Sequence, residues 1–233
     1  MQVSLDDRAE VWLARVAKRG ILRELRTVVA DSAALRALQN GEVTIVSTFQ
    51  LCDCDIVDFT PEAQQQKDLL LFRFYVLQSV VCQALLQRGF WCDFFDPPSG
   101  IPALSPSAGP SLFSEADVLC RLFPGQLKQH QVSNCHVISH PRFGLRVYPA
   151  SMLTSAPAEV VSEVLASTLR LREKRDSDRN NNNTAPSWTE FLRQHGMSAD
   201  DGDRATNEQT ALRCIQHARQ TYADFLAQQQ SIQ

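Results

Sequence analysis

Residues 60–89 read TPEAQQQKDLLLFRFYVLQSVVCQALLQRG, and this stretch decides the class of the fold. Thr60 is a good N-cap and Pro61 suits the first helical turn. The pattern then predicts a helix from Glu62 to Gln87 that stops at Arg88-Gly89. Its apolar residues (Leu69, Leu70, Phe72, Phe74, Val76, Leu77, Val80, Val81, Leu85) cover too wide an arc for a surface helix, which marks a central core helix. Just upstream, Glu42–Leu51 alternates as a strand, with Val43, Ile45, Ser47 and Phe49 on one face and the β-favouring Thr44, Val46 and Thr48 on the other.

Outward from this pair the signals are shorter. Residues 5–19 read as a helix through Leu5, Val11, Leu13 and Val16, with Gly20 as its stop. A second helix is expected over 21–38, followed by an Asn40-Gly41 turn. Downstream, Phe90–Phe95 forms a short aromatic strand ended by the turn Asp96-Pro97-Pro98-Ser99-Gly100. A brief strand at 101–104, a helical turn at 115–122 and a turn at Pro124-Gly125 lead to strands Val132–Ser139 and Phe143–Tyr148. His140-Pro141-Arg142 joins those two. Pro157 opens a helix through about Leu171.

Composition changes abruptly at 173–186, where alternating charges meet Asn180–Asn183, a segment too polar to bury a core. Beyond it, Trp188, Phe191 and Leu192 mark a short amphipathic helix. Ala205–Gln229 marks another, with a stripe of Leu212, Ile215, Tyr222 and Leu226. The order gives an α+β fold. It divides into an N-terminal helix (1–19), a globular domain (20–172), a linker (173–186) and a helical tail (187–233) that the core is expected not to need for folding.

With 44% hydrophobic and 21% charged residues the chain of 233 residues holds enough apolar material for a core. A net charge of −3 gives no overall attraction for nucleic acid or anionic lipid. No uninterrupted apolar run approaches the roughly 20 residues that span a bilayer. Seven cysteines, odd in number and irregularly spaced, read as free thiols in a reducing compartment. The first twenty residues resemble neither a secretory signal nor, with Asp6, Asp7 and Glu10 among their bases, a mitochondrial presequence. These readings place the chain in the cytoplasm, with the mitochondrion as the alternative.

Three clusters hold candidate chemistry. Cys52-Asp53-Cys54 brings two thiols close, but zinc takes four ligands and no second Cys/His pair has the spacing to complete a site. Asp93 and Asp96 form an acid/base candidate, although Asp96 is better explained as the first residue of its turn. Cys135-His136 with His140 is the third. A strand would point Cys135 and His136 to opposite faces, and Cys135 by itself reads as a core residue. No Gly-rich phosphate loop or Ser/His/Asp order appears.

The run Arg88-Gly89-Phe90-Trp91-Cys92-Asp93-Phe94-Phe95-Asp96-Pro97-Pro98-Ser99-Gly100 resembles a signature of the methylmalonic aciduria and homocystinuria type D proteins, also called CblD. The likeness continues in Ser111-Leu112-Phe113-Ser114-Glu115 and in Cys135-His136-Val137-Ile138-Ser139-His140, and spans about residues 20–165. The resemblance implies a nitroreductase-like mixed or antiparallel sheet around the long helix, without a working flavin site. It implies a non-enzymatic adaptor that partners the cobalamin-processing protein CblC and directs cobalamin to methionine synthase or methylmalonyl-CoA mutase. On this reading the chain alone binds no cofactor or metal, and meets cobalamin only through its partner. The family carries two adjacent cysteines before Lys-Val-Ile, the first being implicated as a cobalt ligand. Asn134 stands at that first position here, so Cys135 is the thiolate available to contact cobalt, with Asn134, His136 and His140 as interface residues. The alternative is a flavin-dependent oxidoreductase on the same fold, against which stands the lack of an Arg/Lys cluster suited to a flavin phosphate.

Overall fold

The computed structural model describes residues 1–169, 188–197 and 203–231. Its strands are β1 (Gln2–Ser4), β2 (Ala9–Arg15), β3 (Thr44–Leu51), β4 (Cys92–Phe94), β5 (Lys128–Val132), β6 (Cys135–Ser139) and β7 (Val147–Thr154). The helices among those residues are α1 (Arg19–Val28), α2 (Ser32–Asn40), α3 (Pro61–Gln87), α4 (Glu115–Leu122), α5 (Ala158–Thr168), α6 (Trp188–Gln194) and α7 (Arg204–Ser231). The fold is α+β. A five-stranded sheet runs in the order β1-β2-β3-β7-β4 with every pairing antiparallel, and β5 and β6 form a separate two-stranded sheet.

Helix α3 begins where its cap predicts, with the Thr60 hydroxyl accepting the Ala63 N–H. It packs against β4 and β7 on one side and against α5 and α7 on others. Leu69, Phe74, Val76, Leu77, Val81 and Leu85 are all buried. By length and composition α3 is apolar enough to cross a membrane, which the count of uninterrupted apolar residues missed. Yet 67% of that apolar window is buried inside the protein, as befits a core helix. Strand β3 is buried along nearly its whole length, because β2 and β7 flank its edges and protein covers both its faces.

The strand expected at 101–104 is only an isolated bridge from Pro102 to Phe95, and four further expectations need correction. Residues 5–19 are not a helix: β2 occupies Ala9–Arg15 and pairs with β3 from Ala9↔Gln50 to Arg15↔Thr44. Val11 and Leu13 are two residues apart, a strand period, and Val and Trp favour pleated surfaces. The helix at 21–38 is two helices, because Val29 bridges to Ala108 and Asp31 caps a new helix by accepting the Ala33 and Ala34 N–H groups. The second ends at Gly41, whose φ of 69° needs a residue without Cβ.

The third correction moves the hairpin upstream. Its turn is Ser133-Asn134, with Val132 opposite Cys135, and its first strand is Lys128–Val132. That strand reads Lys-Gln-His-Gln-Val, with no apolar alternation to betray it. Fourth, the strand expected at 143–148 begins only at Val147, and runs to Thr154 in the middle of the sheet. Pro149 hid it, since proline is rare in central strands. Pro149 lies opposite Phe49 of β3, but β4 reaches only Met152–Thr154, so no described strand ladders with the other side of β7 at Pro149.

The residues expected as a linker (173–186) lie outside those described. Helix α7 packs along α3 and buries Ala211, Ile215, Ala218, Tyr222 and Phe225. Tyr222 accepts the Trp91 indole N–H at 3.0 Å, and the Arg219 Nε donates to the Ala103 carbonyl at 2.8 Å.

Candidate functional site

The three sequence segments singled out above converge on one cleft of about 320 Å³. Pro97 and Pro98 of the first, Glu115 of the second, and His136, Val137 and Ile138 of the third line it. Lys67, Asp68 and Leu71 of α3 face them, and Val147, Tyr148 and Pro149 contribute from β7 where its edge has no β4 neighbour.

Each segment is held in place by its own chemistry. Asp96 fixes the Pro97-Pro98 turn: its carboxylate accepts the Ser99 N–H at 3.1 Å, the Ser99 hydroxyl and the Tyr75 hydroxyl, and its carbonyl accepts the Gly100 N–H at 2.7 Å. Gly100, at φ 69°, lies so close to Phe113 that a Cβ would sit 2.6 Å from the Phe113 carbonyl oxygen. Phe95 and Phe113 stack at 4.0 Å and lock the first two segments together. Asp93 is buried and accepts three backbone N–H groups, from Phe94, Leu104 and Ser105, each at 2.8 Å. Asp93 and Asp96 are thus both committed to the backbone, and they do not form an acid/base pair. Burial raises the Asp93 carboxyl to about 7 against the pull of those N–H donors.

Ser114 caps α4, and Glu115 follows at its first position. The Glu115 Oε2 accepts the Ser151 hydroxyl at 2.7 Å, while Oε1 is buried with no hydrogen-bond partner among the described residues. Burial raises this carboxyl to about 7. The cleft therefore contains a poorly solvated carboxyl group at a wall that is otherwise largely apolar, an arrangement suited to a ligand or partner group that brings its own N–H or O–H donor.

The hairpin of β5 and β6 leans on α4 through Asp117. Its carboxylate accepts the Gln129 side-chain N–H at 2.9 Å and lies 3.3 Å from His136 Nδ1. The Ser114 hydroxyl, then Gln129 and His136, hold the Asp117 carboxyl below its usual range. Asn134 and Cys135 sit at the hairpin tip, both exposed. The reading of Cys135 as a core residue is therefore overturned: the hairpin forms a sheet of its own, and no described residue packs over its tip. His136 is exposed.

His140 is not. It is 2% exposed, ringed by Trp12, Phe49 and Phe143, with its Nε2 2.8 Å from the Glu10 Oε1 and its Nδ1 facing the Arg142 and Phe143 N–H groups. Burial lowers its pKa despite Glu10. Nδ1 accepts both N–H groups, while the buried Nε2 lies beside Glu10 without donating a well-aligned hydrogen bond, so His140 fastens the return loop to the core and offers no surface to a partner. Sequence reading missed Lys67, Asp68 and Tyr148 as cleft residues. Their one signal was Pro149, which marks the interrupted edge beside them.

Residues 31–166, more than half of the chain, match the family described as methylmalonic aciduria and homocystinuria type D protein. The chain belongs to that family. Among its curated relatives, the cobalamin trafficking protein CblD of Homo sapiens is 30% identical over 117 residues, covering 50% of this chain and 38% of that protein. The Mus musculus protein of the same name is 29% identical over 120 residues, 52% of this chain and 40% of its own. That of Gallus gallus is 29% identical over 116 residues. The match thus spans about two-fifths of the length of these relatives. The family stretch contains the cleft segments from 97 to 149 and the hairpin tip, while α6 and α7 lie outside it.

Proposed function

We propose that this chain is a non-enzymatic adaptor in cobalamin trafficking, which docks a CblC-like partner carrying cobalamin through the hairpin tip and the adjoining cleft. The observation that carries the reading is the exposed Cys135 at the tip of a hairpin, beside a cleft assembled from three family segments. An exposed thiol on a projecting turn suits a soft ligand offered to a metal held by another protein. Asn134, one residue earlier at the same tip, has no thiol, so Cys135 is the residue that would meet cobalt from this hairpin. The antiparallel sheet around one long helix supports the nitroreductase-like lineage, and free thiols support a reducing compartment, the cytoplasm; delivery toward methionine synthase or methylmalonyl-CoA mutase is carried by the family resemblance.

Mixing the purified chain with cobalamin-loaded partner and following size-exclusion elution and the visible spectrum tests this. Co-elution with a spectral shift that Cys135→Ser removes is the expected result. Co-elution without a shift would reduce the role to docking. No co-elution would remove the adaptor reading, and stoichiometric flavin absorbance in the purified chain would favour an oxidoreductase instead.

A further inference from the structure

The Cys52-Asp53-Cys54 pair takes no part in the cleft, yet its geometry is specific. Alternate residues of a strand share a face, and here β3 ends at Leu51 and the chain bends at Asp53-Cys54. The bend brings the two Sγ atoms to 3.2 Å. Both ends of the loop are clamped to the segment before β7. The Cys52 N–H donates to the Arg146 carbonyl at 3.0 Å and the Arg146 Nε donates to the Cys52 carbonyl at 3.1 Å, while the Ile56 N–H reaches the Leu145 carbonyl at 3.3 Å. Asp53, between the cysteines, points away to Arg8 at 2.7 Å and Arg146 at 3.6 Å. Cys52 is buried and Cys54 is half-buried, so a reagent reaches the second and the first lies behind it. Cys82 and Cys92, by contrast, are both fully buried. Among the described residues no group of three or more His, Cys, Asp or Glu side chains could hold a metal, so the pair stands as a dithiol.

We infer that Cys52 and Cys54 form a reversible dithiol–disulfide site, oxidised by low-molecular-weight disulfides such as oxidised glutathione. The Cys54 thiolate attacks one sulfur of the reagent, forming a mixed disulfide and releasing one reagent thiolate. The Cys52 thiolate then attacks the Cys54 sulfur, closing the Cys52–Cys54 bond and releasing the second reagent thiolate. Two protein thiols are oxidised, one reagent disulfide is reduced to two thiols, and the two protons pass to the released thiolates. Burial, with the Cys52 thiol beside it, pushes the Cys54 thiol up to about 11. The first step therefore accelerates about tenfold for each pH unit between 7 and 9 as the thiolate fraction grows. The inference is independent of the cobalamin reading.

The full chain is incubated with oxidised glutathione, unfolded, alkylated and digested. The peptide that carries both cysteines is then weighed. The expected product has lost two hydrogens, carries no alkyl group or glutathione, and returns to two alkylated thiols after a reducing agent. In Cys52→Ser the glutathione adduct on Cys54 persists, for want of a resolving thiol. A wild-type peptide that keeps two alkylatable thiols across the pH range, or that stops at the glutathione adduct, overturns the inference.

Discussion

The five-stranded sheet with α3 and the β5–β6 hairpin are built from opposite materials. In the first, strands such as β3 are buried along nearly their whole length, and several buried polar side chains pair within it: Ser47 with Ser151, Thr44 with the Ala156 carbonyl, Gln78 of α3 with Thr48. In the second, all but one residue of Lys128–Val132 are exposed, Ile138 alone is buried in the facing strand, and polar ties through Asp117 attach it to α4. Stability resides in one region and display in the other. Under the proposed function, the thiol would be offered from the part whose distortion costs least. The two regions should therefore respond very differently to substitution.

The largest effect should come from ending the chain before Arg204. Helix α7 covers α3 with Ile215, Tyr222 and Phe225 among its buried side chains. At ~1.5–3 kcal/mol for each large apolar side chain buried, the loss is on the order of 5 kcal/mol. Urea unfolding of the truncated chain should show a much lower midpoint or no cooperative transition. An unchanged midpoint would make the tail an accessory to the core, as the sequence alone led one to expect.

Trp91→Ala comes next. Trp91 is 3% exposed and loses both its packing and its hydrogen bond to Tyr222. A cost of about 3–5 kcal/mol is expected, measurable by the same unfolding curve. A cost below about 1 kcal/mol would mean that the junction between α7 and the core is loose.

Glu115 lies at the boundary between the regions, and pH reads it. Its carboxyl is raised to about 7, so between its ordinary value of 4.5 and 7 the folded chain holds a proton that the unfolded chain has released. Its contribution is fully present below about pH 4.5, is lost as pH rises toward 7, and changes no further above that. Glu115→Gln should flatten stability over pH 5–7 by a fraction of the ~1.4 kcal/mol per unit that one whole proton carries. Unfolding midpoints at pH 5, 6, 7 and 8 would show it. An identical pH profile in the variant would place the carboxyl in contact with water.

How much of this was legible beforehand follows the same division. Helix α3 was readable to within a residue at its start, because Thr60-Pro61 and a run of apolar residues act locally. Strand β3 was readable from β-branched residues at period two. The hairpin strand at 128–132 was not, since its pairing depends on α4 and on a two-residue turn and leaves no apolar trace. Of the site, the three segments were visible as motifs, but their meeting around one cleft is a property of tertiary packing. His140 shows the converse error: five residues after Cys135, it looked like surface chemistry, yet Trp12 and Phe49 come from strands distant in sequence to enclose it.

The smallest expected effect separates the two regions most cleanly. Ser133 occupies the first position of the hairpin turn with φ 53°, a left-handed conformation that glycine adopts freely and serine does not. Ser133→Gly relieves that cost, and gives part of the gain back because glycine leaves the unfolded chain more freedom to lose. A net gain of about 0.5–1 kcal/mol is reasonable, but where it registers depends on how the molecule opens. If the hairpin opens alone, without unfolding the sheet, its amides exchange through that local opening, and the gain slows their exchange about two- to fivefold. The global unfolding midpoint should then stay nearly fixed, because the loosened hairpin is already lost before the core yields. Hydrogen exchange at Gln131 and His136, which face each other across the ladder, compared with Ile45 and Val46 in β3, decides it. Slower exchange confined to the hairpin is the expected pattern. If instead the global midpoint rises by the full amount and the β3 amides slow in parallel, the hairpin unfolds with the sheet as one unit, and the thiol at its tip is presented by the core itself.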